Sequence, residues 1–149
     1  MTKVAFYHLT REGVEAALPK LAEKMLSSGM RGLIKCTGKT TIKVLDQALW
    51  TYKTDSFLPH APAGSEHDSN QPLLLTLDDE NSNNSNALLL INKAKYEGSD
   101  SFDRVMVMFD GHDADVVTHA RTAWKQYKGS DAELSYWQQK DGGGWEQKA

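Results

Sequence analysis

Gly38-Lys39-Thr40 follows an apolar run and precedes a helical pattern, the place where a phosphate-binding loop would sit. Such a loop reads Gly, four residues, then Gly-Lys-Ser/Thr, and its first glycine curls backbone N–H groups around the phosphates. Here that position is Leu33; Gly32 misses it by one residue and falls inside the apolar run. The connection is too short to wrap a triphosphate. The segment reads as a tight strand-to-helix turn with Thr40 or Thr41 as N-cap.

A second cluster, His112, Asp113, Asp115 and His119, hints at a metal or a phosphohydrolase. Asp115 and His119 are spaced i, i+4 and can meet on a helix. A structural metal needs about four ligands, and no second set of histidine and carboxylate accompanies this one. Asp113 or Asp115 is accounted for as a helix cap and dipole partner. His60 and His67 lie in loop-like sequence, and no Ser-His-Asp or Cys-His pair has a local signature. Cys36, the only cysteine, ends an apolar strand pattern and reads as buried. It excludes an internal disulfide and suits a reducing, cytoplasmic setting. No catalytic residue, metal or cofactor is expected.

The last long helical pattern carries a different chemistry. At about 100° per residue, Val116, Ala120, Ala123 and Tyr127 share a core-facing arc. A neighbouring arc holds Val117, Arg121, Trp124, Lys125 and Lys128. An aromatic ring flanked by cations can take a peptide bearing an apolar residue and carboxylates, or an unstacked base with its phosphates. It is equally a half-buried Trp whose cations solvate the rim.

The elements that position these residues follow from periodicity. "KVAFYHL" (Lys3 to Leu9) reads as a strand. Leu18, Leu21, Ala22, Met25 and Leu26 make one helical face, with a start or kink near Pro19 and Gly29 as C-cap. Arg31 to Cys36 reads as a second strand and Thr41 to Trp50 as a second helix, an order that suggests parallel strands with crossover helices. "SFLPH" suits a short edge strand, because Pro59 bars a central one, and Ala61 to Pro72 is a loop by composition. "PLLLTL", "ALLLIN" and "RVMVMF" read as buried strands, followed by a helix from about 113 to 128. Asp78 to Asn86 has no apolar anchor and reads as a mobile loop; residues 140–149 read as a partly ordered tail.

With 149 residues, 40% of them hydrophobic and 25% charged, the chain suits one globular domain spanning 1–149. A formal charge of −3 predicts no general attraction to nucleic acid or membrane, though a local basic patch is compatible with it. The opening "MTKVAFYHLT" lacks the features of a signal peptide, and no run approaches the roughly 20 apolar residues of a membrane helix.

Three passages resemble the chi subunit of bacterial DNA polymerase III: "VAFYHL", "LDQALWTYKTDSFLPH" (Leu45 to His60), and "RVMVMFDG" through "ARTAWKQYK" (Arg104 to Lys128). The resemblance implies a single α/β, three-layer-like domain with a mostly parallel sheet, similar to mononucleotide-binding folds but without a working P-loop. It implies a non-catalytic adaptor of the clamp-loader assembly. Such an adaptor pairs with a small psi subunit or a repair helicase. It also binds the acidic, Phe-ended tail of single-stranded DNA-binding protein, and so reaches single-stranded DNA indirectly, in the cytoplasm at the nucleoid. By resemblance, Trp50, Arg121, Trp124 and Lys125 match tail-binding positions. Val117 stands where the family has a cation, and Lys128 could substitute for it. Phe57, with Pro59 and His60, matches the psi- or helicase-binding passage. The rival readings are a nucleotide hydrolase at Lys39 and Thr40, and direct single-strand binding on the Trp124 face.

Overall fold

The computed structural model describes residues 2–52, 58–142 and 144–149. In chain order the elements are β1 (Lys3–Leu9), α1 (Val14–Ser27), β2 (Gly32–Lys35), α2 (Lys39–Thr51), β3 (His60–Pro62), β4 (Leu73–Thr76), β5 (Ala87–Ile91), β6 (Arg104–Asp110), α3 (Ala114–Lys128), β7 (Glu133–Gln139) and β8 (Trp145–Gln147). The strands form one sheet in the order β3-β4-β2-β5-β6-β1-β7-β8. Every neighbouring pair is parallel except β7–β8.

The continuous apolar runs of β2, β4 and β5 are buried because both faces of the sheet are covered there. Successive side chains divide between the faces. Leu89, Ile91, Met106 and Met108 pack with Leu18, Met25, Leu45 and Leu49 of α1 and α2. Phe6, Leu88, Val105 and Val107 pack with Val116 and Ala120 of α3. The architecture is therefore three-layered, as the family resemblance implied.

The strand order explains which helix covers which face. From β1 through β2 to β3 the chain steps toward one edge of the sheet; from β6 to β7 it steps toward the other. Crossovers between parallel strands are right-handed. Reversing the direction of travel therefore puts α3 on the face opposite α1 and α2.

Gly29 closes α1 with φ 79°, a left-handed conformation that costs glycine no Cβ clash, while Met30 N–H bonds back to the Met25 carbonyl. Helix α2 begins differently from expectation. Its N-cap is Gly38, without a side-chain cap, and Thr40 and Thr41 fall inside the first turn. Only Cys36, Thr37 and Gly38 separate β2 from α2, so no P-loop forms.

Residues 78–86 carry amide hydrogen bonds to the sheet in place of apolar contacts. Asn83 is fully buried and donates to the carbonyls of Gly32 and Gln71, while Ser85 donates to its Oδ1. The guanidinium of Arg31 donates to the Asn83 carbonyl, and Asn81 and Ser85 bond to each other. Near the C-terminal end β8 pairs antiparallel with β7, Gln147 opposite Trp137 and Trp145 opposite Gln139.

Candidate functional site

Asp113 starts α3 by accepting from the backbone N–H groups of Asp115 and Val116, which sets the rotation of the helix. Val116 and Ala120 then face the sheet, and Arg121, Lys125 and Lys128 face solvent. Trp124 stands between these arcs. It is half-buried, edge-on to Phe6 at 5.4 Å and to Tyr136 at 5.5 Å. The rings of Phe6 and Tyr136 are stacked at 6.2 Å. The indole is thus a packed wall with an open side, held by aromatic contacts worth about 1 kcal/mol each beyond their burial. Val117 packs partly against the same core, so it supplies apolar floor where a cation would supply charge.

Beside this wall lie two residues that the sequence reading passed over. Tyr136 places its phenolic oxygen 2.9 Å from Nδ1 of His8, whose ring stacks on Phe109 at 4.8 Å. Gly111 permits this arrangement, since a Cβ there would lie 2.4 Å from both the His8 ring and the Leu9 carbonyl oxygen. Burial lowers the pKa of His8, and the positive charge of Arg121 adds to the effect, followed by His112. Burial raises the Tyr136 hydroxyl, with Arg121 opposing it. Both effects locate the guanidinium over the β1–β7 side of α3. The clue in sequence was the alternation in "ELSYWQQ", which carries Tyr136 to the Phe6 side of the sheet. Together, Arg121, Trp124 and Tyr136 offer a planar donor fork for a carboxylate beside an apolar shelf, with Lys125 and Lys128 further along the helix.

Trp50 is not part of that arrangement. It is 53% exposed on α2 and its ring lies 4.8 Å from that of His60 at the β3 edge. It therefore belongs to the α1–α2 face, across the sheet from Trp124, and one notch walled by both indoles does not form. His60 is itself buried at 5% exposure; its Nε2 lies 3.2 Å from the Asp46 carbonyl oxygen and 3.0 Å from Oδ1. It orients Trp50 and α2 and is not a surface contact. Pro59 is half-buried beside it, and Phe57 lies outside the described residues.

The other chemical candidates disperse. Lys39 borders a cleft lined by Asp68, Asp78 and Glu80, which repels phosphates. His112 pairs with Asp110 at 3.1 Å, and Asp115 faces Lys93 at 4.0 Å. Among the described residues no three His, Cys, Asp or Glu side chains are grouped to hold a metal ion. Cys36 is buried, with its thiol pushed up to about 12 by burial. No helix of the described residues is long and apolar enough to cross a membrane.

Comparison with known proteins gives consistent matches. The family described as DNA polymerase III chi subunit, HolC, matches residues 1–135. A probable DNA polymerase III subunit chi from Rickettsia prowazekii is 30% identical over 91 residues, 61% of this chain and 55% of that protein. The subunit chi of Pseudomonas aeruginosa is 32% identical over 92 residues, covering 60% and 63%. That of Escherichia coli is 24% identical over 135 residues, covering 86% and 92%. The chain thus spans 55% and 63% of the first two relatives' lengths. Among solved structures, the C-terminal domain of S. cerevisiae Dbp5, bound to Gle1 and IP6, superposes with a TM-score of 0.55. It covers 91% of this chain and 90% of that one, at 10% identity, a likeness of fold alone.

Proposed function

The chain belongs to the DNA polymerase III chi subunit family, and from that premise we propose that it is a non-catalytic adaptor with two protein-binding surfaces on opposite sides of its sheet. The family implies an accessory role in replication as part of a multi-subunit polymerase. The first surface is the outer stripe of α3. It takes the acidic C-terminal tail of single-stranded DNA-binding protein, whose terminal Phe supplies a ring and a free carboxylate. The observation that carries this reading is the exposed Arg121 beside the Trp124–Tyr136 shelf.

A charged hydrogen bond of this kind contributes about 1.5–3 kcal/mol, and the planar guanidinium can make two at once. Lys125 and Lys128 attract the upstream carboxylates of the tail by about 0.2–1 kcal/mol each, screened by salt. The second surface centres on Trp50 with Pro59 and takes a psi subunit or a helicase, for which the resemblance also names Phe57. The resemblance puts Trp50 with the tail; its ring beside His60 at the β3 edge supports putting it with the second surface instead.

Calorimetric titration with an Asp-rich, Phe-ended peptide tests the first surface. Binding that is lost in Arg121→Ala and kept in Trp50→Ala supports the reading; binding unaffected by Arg121→Ala overturns it.

A further inference from the structure

Helix α1 packs on β6, and α2 on β3 and β4; neither covers β7 or β8 extensively. On that face the outer three strands are only partly covered, and Tyr7, Trp137 and Trp145 are half-buried. Tyr7 has Trp137 as its register partner on β7, and Trp145 lies one strand further out, opposite Gln139. The rings of Tyr7 and Trp145 meet edge to face at 5.2 Å. They floor a cleft of about 560 Å³ between α1 and the β7–β8 hairpin, and its rim carries Arg11, Lys20 and Lys24. At the other end of β1, Tyr7 borders a second hollow of about 190 Å³ that carries Lys3 and Arg104.

Positive charge therefore stands at both ends of β1, about 20 Å apart, the length of a seven-residue strand, and the aromatic rings lie between them as a row crossing β1, β7 and β8. Glu12 and Glu133 also border the two hollows, which leaves a local excess of three positive charges in a chain of formal charge −3. The cationic loop after β1 is held in place. Gln139 Oε1 accepts from the backbone N–H groups of Thr10 and Arg11, while its Nε2 donates to Glu12. The side chain of Lys20, although paired with Glu12 at 3.3 Å, remains 59% exposed.

We propose that this face of β1, β7 and β8 binds a short stretch of single-stranded nucleic acid, with phosphates at the two cationic ends and bases against Tyr7, Trp137 and Trp145. Repeating charge with interleaved π-faces is what a single strand offers, and stacking on aromatic rings tolerates any base. An acidic peptide with one terminal ring would need only one cationic cluster. The site lies across the sheet from Arg121, so it does not rest on the tail-binding reading.

The test is fluorescence anisotropy of a labelled mixed-sequence DNA 12-mer. The expected result is saturable micromolar binding at about 50 mM salt that collapses by about 200 mM. It weakens about tenfold in the Lys20→Glu/Lys24→Glu pair and in Trp137→Ala, and is unchanged in Arg121→Ala. Both lysines are exposed, so the charge-reversed protein keeps its fold and decides the matter if Trp137→Ala disturbs the hairpin. Absence of binding at low salt overturns the proposal, as does binding that survives the lysine reversal. If the reversal weakens an acidic Phe-ended peptide and not the oligonucleotide, the face is a peptide site and the proposal fails.

Discussion

The phenolic oxygen of Tyr136 lies 2.9 Å from Nδ1 of His8, a contact that a neutral imidazole can accept and a doubly protonated one cannot. Burial first, then Arg121 and His112, lower the pKa of His8 from its ordinary 6.5. The unfolded chain therefore binds more protons than the folded one in the window just below 6.5. Stability is complete above that window and falls as pH drops through it. Thermal midpoints should decline from roughly pH 7 to roughly pH 5, and His8→Gln should flatten part of the slope. His119, lowered by burial and by Lys95 and Lys93, accounts for a further part. An identical pH slope in His8→Gln would remove His8 from this account.

Arg121→Ala should weaken the acidic Phe-ended peptide by about 30-fold, the equivalent of about 2 kcal/mol, with an unchanged circular dichroism spectrum because the residue is exposed. Arg121→Lys should recover only part of the loss, since an ammonium cannot present two parallel donors to a carboxylate. Titration calorimetry at two salt concentrations measures both, and full recovery by lysine would count against the bidentate geometry.

Opposite faces make the two surfaces separable. Trp124→Ala should reduce tail-peptide affinity by about tenfold and leave association with psi intact. Trp50→Ala should do the reverse. Co-purification with psi, scored beside peptide titration, reads both. Parallel loss in either variant would contradict the division of the molecule by its sheet.

The Asn83 amide reaches two carbonyls of different segments, Gly32 and Gln71. Asn83→Ala leaves both without that donor and strands the Ser85 hydroxyl. A loss of about 2–4 kcal/mol in urea denaturation is expected, larger than for a typical surface asparagine. A change under about 0.5 kcal/mol would mean that the loop contributes little.

What was legible in the sequence follows the range of the interaction. The α3 stripe is a local matter of 100° steps, so Arg121, Trp124, Lys125 and Lys128 came out in their observed places. Runs such as "ALLLIN" are buried strands wherever they fall in the sheet. The contacts of Asn83 were not legible because its partners are 12 and 51 positions away, and an amide that anchors looks the same in a string as one that is solvated. The grouping of Trp50 with Trp124 failed for a related reason. Which face a helix covers depends on the direction of its crossover, and that depends on strand order, which no window of residues contains. "ELSYWQQ" was not assigned as a strand because each of its faces mixes an aromatic ring with polar side chains, a pattern that suits strands at the less covered end of a sheet.

The N-terminal strand is seated between β6 and β7, so the partners of Val4 and Phe6 lie about one hundred positions downstream. A ribosome adding about 5–20 residues per second must make roughly a hundred further residues before that strand has anything to pair with. Until then an apolar strand waits in the open, and its two pairings are completed only when β6 and β7 emerge. Maturation should accordingly be slow for a domain of this size, and sensitive to chaperones that shield β1.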